Sequence, residues 1–405
     1  MSTHGWQGIA GVCTAWFGAS SLVEGAALAA RVLDLAPTAA VDLRASGVLV
    51  RLDGDTHLDV ETHLDVDSHL DAITQAAEEL GLVADPSVPQ QIGVVIETAQ
   101  PEAVQPFWQR ALARGPGEDG HLADPLRRLP PLRIREVSGL GGARNRIHLD
   151  VVRPAAQVEQ TDLGPATGPY GVCHRDADGN EVDLVPGDPL GEAGANSGTE
   201  DWQVVFGAVA AYRVQSPARQ RDLAVTAAEF ADEAGFPLLI DLRPGVVVLD
   251  TGKDRWDADA HRLDVDFVDL AARLQTAARG LGATADAGLA SFVQLFFDAT
   301  DIESVRRFWA AALGYVEDER EGLTDIYDPR WLGPPLVFQP LDPADADRRE
   351  QRDRMHVEVT VGEAAAQRRV EAAVAAGGRV LEESAGRWVV ADPEGNELAI
   401  RSPAT

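Results

Sequence analysis

Apolar and polar positions along this chain spell one succession of elements twice. Ala15-Trp16-Phe17 reads as a strand, and Leu22 to Leu33 carries apolar residues at helical spacing. Two short β-rich runs follow, Ala40 to Leu43 and Gly47 to Leu52. After a polar loop, Val66, Leu70, Ile73, Ala77 and Leu80 keep a 3.6-residue period and predict a second helix. The order returns as a strand at Val204 to Phe206, a helix from Pro217 to Glu233, strands at Leu238 to Leu242 and Val246 to Leu249, and a helix from Val265 to Leu281. Pro217 suits a first helical turn, where its missing N–H would have no partner. Strand, helix, strand, strand, helix makes an α+β unit of roughly 80 residues.

A different unit follows each of these. An apolar strand, Ile92 to Ile96 or Phe292 to Phe297, leads into a helix with Val104, Phe107, Trp108, Ala111 and Leu112 on one face, or Val305, Phe308, Trp309, Ala312 and Leu313. Strands at Leu132 to Ile134, Ile147 to Val152 and Glu181 to Val185 have counterparts at Leu336 to Phe338, His356 to Val361 and Glu397 to Ile400. Copy two adds a helix from Ala364 to Ala376, stopped by Gly377-Gly378. Copy one has only Pro154 to Gly164 there, so one of its halves is trimmed.

Identical short strings set the register between the copies. Asp42-Leu43-Arg44 recurs as Asp241-Leu242-Arg243, 199 positions on, and Phe107-Trp108 as Phe308-Trp309, 201 on. Pro130-Pro131-Leu132 returns after 204, His148 as His356 after 208, and Gly179-Asn180-Glu181 as Gly395-Asn396-Glu397 after 216. Offsets that grow slowly and in order are those of a tandem duplication that gathered loop insertions. The chain therefore divides into four domains, 1–85, 86–190, 191–286 and 287–405, with the acidic, glycine-rich Gly187 to Glu200 as linker between copies.

Composition narrows the function. The 405 residues carry 35 basic against 65 acidic side chains, a net charge of −30, which repels nucleic acid and anionic lipid. No apolar run approaches the roughly 18 residues of a membrane span, and no basic-then-apolar leader opens the chain, so a cytoplasmic protein is expected. Cys13 and Cys173 stand far apart, which excludes a disulfide framework or a cysteine zinc site.

The later domains resemble the glyoxalase, bleomycin-resistance and dioxygenase superfamily, the vicinal oxygen chelate proteins. The resemblance rests on Asp301 to Gly314 around Phe308-Trp309, on Arg354-Met355-His356-Val357-Glu358 and on Asp392-Pro393-Glu394-Gly395-Asn396-Glu397. Copy one has Phe107-Trp108, Asn145-Arg146-Ile147-His148-Leu149-Asp150 and Asp176-Ala177-Asp178-Gly179-Asn180-Glu181. The early domains look, more faintly, like pterin-4a-carbinolamine dehydratases. That family needs a histidine pair before the hairpin and a third histidine after it. Leu35-Ala36, Gly235-Phe236 and Gly252 stand at those places. Without an acid or base the early domains are expected to be inactive, serving as scaffold or homodimerisation surface.

The superfamily resemblance implies a divalent metal held by His, Gln or Glu, with open positions for a chelating small molecule. Its first-strand ligand falls on Gln294 and Gly93, its histidine on His356 and His148, and its last-strand carboxylate on Ala399 and Asp183. Copy two thus keeps Gln294 and His356, copy one keeps His148 and Asp183, and neither holds a full set. Glu181 and Glu397 are expected to face the other side of their strands. His148 and His356 read first as pocket-lining or hydrogen-bonded residues without metal, and second as ligands; Phe107-Trp108 and Phe308-Trp309 read as core, and the Gly-Asn pairs as turn chemistry. Arg133, Arg135, Arg144 and Arg146 stand near the copy-one site as contacts for an anionic ligand.

His57, His63 and His69, each two residues before an aspartate, would lie too far apart on an extended chain to share a metal, so the repeat reads as slippage in a solvated loop. The missing ligands favour a metal-independent protein that binds a small organic molecule in a cupped β-sheet; the alternatives are a lyase, isomerase or dioxygenase with a reduced metal set, and a structural protein with degenerate domains. The cofactor stays open between none and a divalent metal.

Overall fold

The computed structural model describes residues 5–53, 60–115, 120–138, 142, 144–193, 198–257 and 265–403, without the side chains of 60–65 and 192–193. Its main elements begin with β1 (Val12–Gly18), α1 (Leu22–Leu35), β2 (Ala40–Arg44), β3 (Gly47–Asp53) and α2 (Val60–Glu79). Next come β4 (Gln90–Thr98), α3 (Pro101–Ala111), β5 (Leu132–Glu136), β6 (Ile147–Pro154), β7 (Cys173–Arg175) and β8 (Glu181–Pro189). The second copy starts with β9 (Gly207–Arg213), α4 (Pro217–Ala234), β10 (Leu239–Arg243), β11 (Val246–Asp250) and α5 (Phe267–Gly280). It continues with β12 (Phe292–Ala299), α6 (Ile302–Leu313), β13 (Leu336–Pro340), β14 (Met355–Val361), α7 (Glu363–Ala375), β15 (Arg379–Ser384), β16 (Arg387–Ala391) and β17 (Glu397–Arg401). The fold is mixed α/β, with antiparallel and parallel pairings.

Local chemistry sets the helix ends. Ser21 caps α1 by accepting from the Glu24 N–H at 3.1 Å, and Glu24 reaches back to the Ser20 N–H. Ser216 caps α4, Pro217 fills its first turn, and Gly235 ends it at φ +69°, a left-handed conformation that glycine adopts without a Cβ clash. Helix α2 starts at Val60, earlier than the expected Val66, because no glycine or proline between 55 and 80 halts its growth. His69 is therefore helical instead of lying in a loop; His57 and His261 lie outside the described residues, as does the side chain of His63.

The chain forms two compact units, each built from two separate stretches: 1–89 with 186–291, and 90–185 with 292–405. In the first, an antiparallel sheet runs β1–β3–β2–β10–β11–β9, joining the copies where Asp42 lies opposite Asp241. Val41, Leu43, Ile240 and Leu242 face a core shared with α1, α2, α4 and α5. The Asp232 carboxylate of α4 accepts from the Leu22 and Val23 N–H groups that open α1. On the alternate strand positions the repeated Asp-Leu-Arg forms a buried ionic knot. Arg44 donates to Asp241 at 2.8 Å, Arg51 to Asp42 at 2.5 Å, and Arg243 to Asp42. Where acid–base histidines were sought, Phe236 is buried core and Gly235 a helix cap. Part of the expected linker is ordered: Asp188 and Pro189 pair with Val204 and Gln203, and Leu190 is buried, because these residues find backbone and apolar partners.

The second unit contains two sheets, and each mixes the copies. The first runs β7–β8–β6–β12–β13, with copy-one β6 antiparallel to copy-two β12. The second runs β15–β16–β17–β14–β4–β5, with copy-two β14 antiparallel to copy-one β4. One face of each sheet joins a single apolar core with α3, α6 and α7. Trp108 of α3 donates its indole N–H to Asp176 at 2.9 Å, and Trp309 of α6 to Asp392 at 3.0 Å. Each aspartate also accepts from the asparagine of its Gly-Asn turn. The repeated Phe-Trp and Gly-Asn strings are thus paired braces within each copy.

Candidate functional site

The face of each sheet turned from the core carries the polar residues, because side chains alternate along strands. On the first sheet the register sets Gln294 opposite Asp150 and Phe296 opposite His148. The amide nitrogen of Gln294 donates to Asp150 Oδ2 at 2.9 Å, which turns the amide oxygen elsewhere; that buried oxygen has no hydrogen-bond partner. His148, Asp150 and Asp183 bring ligand atoms within 4.8 Å of one another. The His148 ring stacks on Phe296 with centroids 5.0 Å apart. Burial lowers the His148 pKa against the opposing pull of Asp298, Asp183 and Glu181, leaving a neutral imidazole.

A clamp of charges borders this site. Arg144 donates to Glu181 at 2.6 Å and lies 3.9 Å from Asp298, while Arg348 pairs with Asp298 and Arg175 with Glu181. Burial raises the Glu181 pKa, but Arg175 and Arg144 outweigh it and hold the carboxyl below its usual range. Four carboxylates (Asp150, Asp183, Glu181 and Asp298) meet three guanidiniums, which leaves one negative charge.

The second sheet has the same layout with other residues. His356 lies opposite Val95, and Glu358 lies between Gly93 and Ala399. Arg352 repeats the clamp, donating to Glu397 at 2.6 Å and pairing with Glu97, which Arg135 also holds. Burial raises the Glu97 pKa, but Arg352 and Arg135 outweigh it and bring it to about 2. His356 is 3% exposed and its Nδ1 has no hydrogen-bond partner; burial lowers its pKa to about 4 despite Glu97. Arg133 Nε donates to His121 at 2.7 Å.

The expected residue sets therefore regroup. Gln294 stands with His148 and Asp183, whereas His356 stands with Gly93, Ala399, Arg133 and Arg135. Reading each copy as a separate site splits both sets, because it overlooks the exchange of halves. Glu181 and Glu397 share the polar face with Asp183 and Ala399, against expectation, since two residues along a strand return to the same side. Arg146 is no ligand contact: it is 1% exposed and tied to Asp353 at 3.0 Å. Asp150, Asp298, Glu97 and Arg352 escaped sequence reading. The repeat offsets that equate Arg144 with Arg352 and Asp298 with Glu97 were the available signal.

Residues 294–401 match the family model described as a glyoxalase-like domain. The matched stretch supplies Gln294 to the first sheet and His356 to the second. Among solved structures the chain is similar to glyoxalase I from Zea mays, at 9% identity and TM-score 0.37, over 78% of this chain and 92% of that one. It is also similar to a glyoxalase/bleomycin resistance protein from Albidiferax ferrireducens T118, at 16% identity and TM-score 0.21, over 26% and 93%. A third is a glyoxalase-related enzyme from Fulvimarina pelagi, at 22% identity and TM-score 0.21, over 26% and 84%. No curated protein matches the chain. Among the described residues, no helix is long and apolar enough to cross a membrane.

Proposed function

We propose that the protein is a metal-dependent enzyme of the glyoxalase superfamily, whose reaction centre lies on the first sheet. His148, Asp183 and Gln294 would hold a divalent ion, with Asp150 as fourth ligand or as the acceptor that orients Gln294. The observation that carries this reading is the orphaned amide oxygen of Gln294 beside the His148–Asp150–Asp183 cluster. An imidazole with several oxygens suits Fe, Mn, Ni or Zn. Bound there, the metal would act as a Lewis acid toward a small molecule offering neighbouring oxygens, in a lyase, isomerase or dioxygenase reaction. The chain's own residues orient Gln294, keep His148 neutral, and present Phe296 and Val337 as apolar contacts for the body of the molecule.

The first unit fits a scaffold role, since no histidine stands at the dehydratase positions of either copy. Metal-independent binding, the other reading, suits the second sheet, which has Gly93 and Ala399 at two ligand positions.

Elemental analysis of protein purified without chelators or affinity metal tests the proposal. Near one equivalent of one of these metals per chain is expected, lost in Asp183→Ala and retained in His356→Ala. Metal-free protein that takes up none of the four ions on titration overturns it.

A further inference from the structure

Along the repeat register, residues are replaced on both sides of the site. Gln294 and Asp183 of the first sheet correspond to Gly93 and Ala399 of the second. Conversely, Val337 and Gln339 of the first correspond to Arg133 and Arg135 of the second. The same backbone loses two ligand groups and gains two guanidiniums. Both arginines share the polar face with His356, because Arg133 lies opposite Val95 and Arg135 opposite Glu97.

Their charges are not used up locally. Arg133, Arg135 and Arg352 face Glu97 and Glu397, while Arg401–Glu358 and Arg387–Glu382 are neutral pairs at the margin. Among the described residues no carboxylate pairs with Arg133, whose structural partner is the His121 ring. One positive charge is left over, opposite in sign to the first site. Two buried donors or acceptors also lack partners, His356 Nδ1 and Arg135 Nε. Buried polar atoms are rarely left so, and a surplus guanidinium fork beside them fits a planar anion.

We infer that the second sheet is a metal-free binding site for a small organic monocarboxylate. Arg133 carries the ligand's charge, and Arg135 and His356 contribute hydrogen bonds. A carboxylate is favoured over a phosphate because a single surplus charge balances a monoanion. The site is separate from the proposed metal centre and does not depend on it.

Titration calorimetry of the metal-stripped full chain with benzoate, benzamide and inorganic phosphate tests this. Benzoate is expected to bind saturably, at about 1 mM, the range open to a ligand of its size. Arg133→Val, which installs the first sheet's residue and leaves Glu97 paired with Arg135 and Arg352, should weaken binding at least tenfold; Asp183→Ala should leave it unchanged. Histidine NMR of the unmutated chain gives a second readout that needs no variant to fold: benzoate should shift the His356 imidazole signals more than those of His148. Equal binding of benzamide, preference for phosphate, no saturable benzoate binding, or indifference to Arg133→Val would each overturn the inference.

Discussion

The ionic knot at the seam of the first unit yields a quantitative prediction. Asp42 accepts from Arg243 and Arg51 with a side chain 3% exposed, and those of Arg243 and Arg51 are 3% and 16% exposed. Asp42→Ala removes the carboxylate that both guanidiniums share. Arg243 keeps hydrogen bonds to the Val41 and Leu242 carbonyls but loses its ion pair with Asp42. Removing one partner of a buried pair costs about 3–5 kcal/mol, a large share of a typical domain's 5–15. Arg51→Ala should cost less, about 1–2 kcal/mol, because Arg243 still holds Asp42 and Arg51 is partly wet. Native-state hydrogen exchange on peptides covering β2 and β10 reads the opening free energy of this sheet without interference from the second unit. The double variant Asp42→Ala/Arg243→Ala should lose less than the two single losses combined, because only the partly wet Arg51 is then left without Asp42. An Asp42→Ala loss below about 1 kcal/mol, or strict additivity in the double variant, would refute the claim that the knot acts as a coupled network.

Two further outcomes follow from the second unit. His356 is held neutral to about pH 4, whereas the unfolded chain protonates it near 6.5, so stability attributable to it falls by about 3 kcal/mol as pH drops through that window and is unchanged above it; urea unfolding of wild type and His356→Gln should show the variant's flatter acid limb, and parallel limbs would contradict the assignment. Trp309→Phe removes the indole donor to Asp392 while Asn396 still serves the same carboxylate, so a loss of about 1–2 kcal/mol is expected, matched by Trp108→Phe at Asp176; calorimetric melting decides, and a neutral change would mean that the brace is dispensable.

Much of this protein was legible in one dimension. Periodicity located the principal helices and strands within a few residues, because apolar spacing reports which face each element buries. The repeated strings showed two copies, and their graded offsets were enough to equate Arg144 with Arg352 or Val337 with Arg133. What spacing cannot report is which strand lies beside which. Strand β6 pairs with β12 and β14 with β4, so halves from different copies complete each sheet. That exchange turns two apparently half-empty ligand sets into one clustered set around Gln294, His148 and Asp183 and one arginine-bearing set around His356. The residue types were in the sequence; their grouping was decided by long-range hydrogen bonding between strands more than a hundred residues apart.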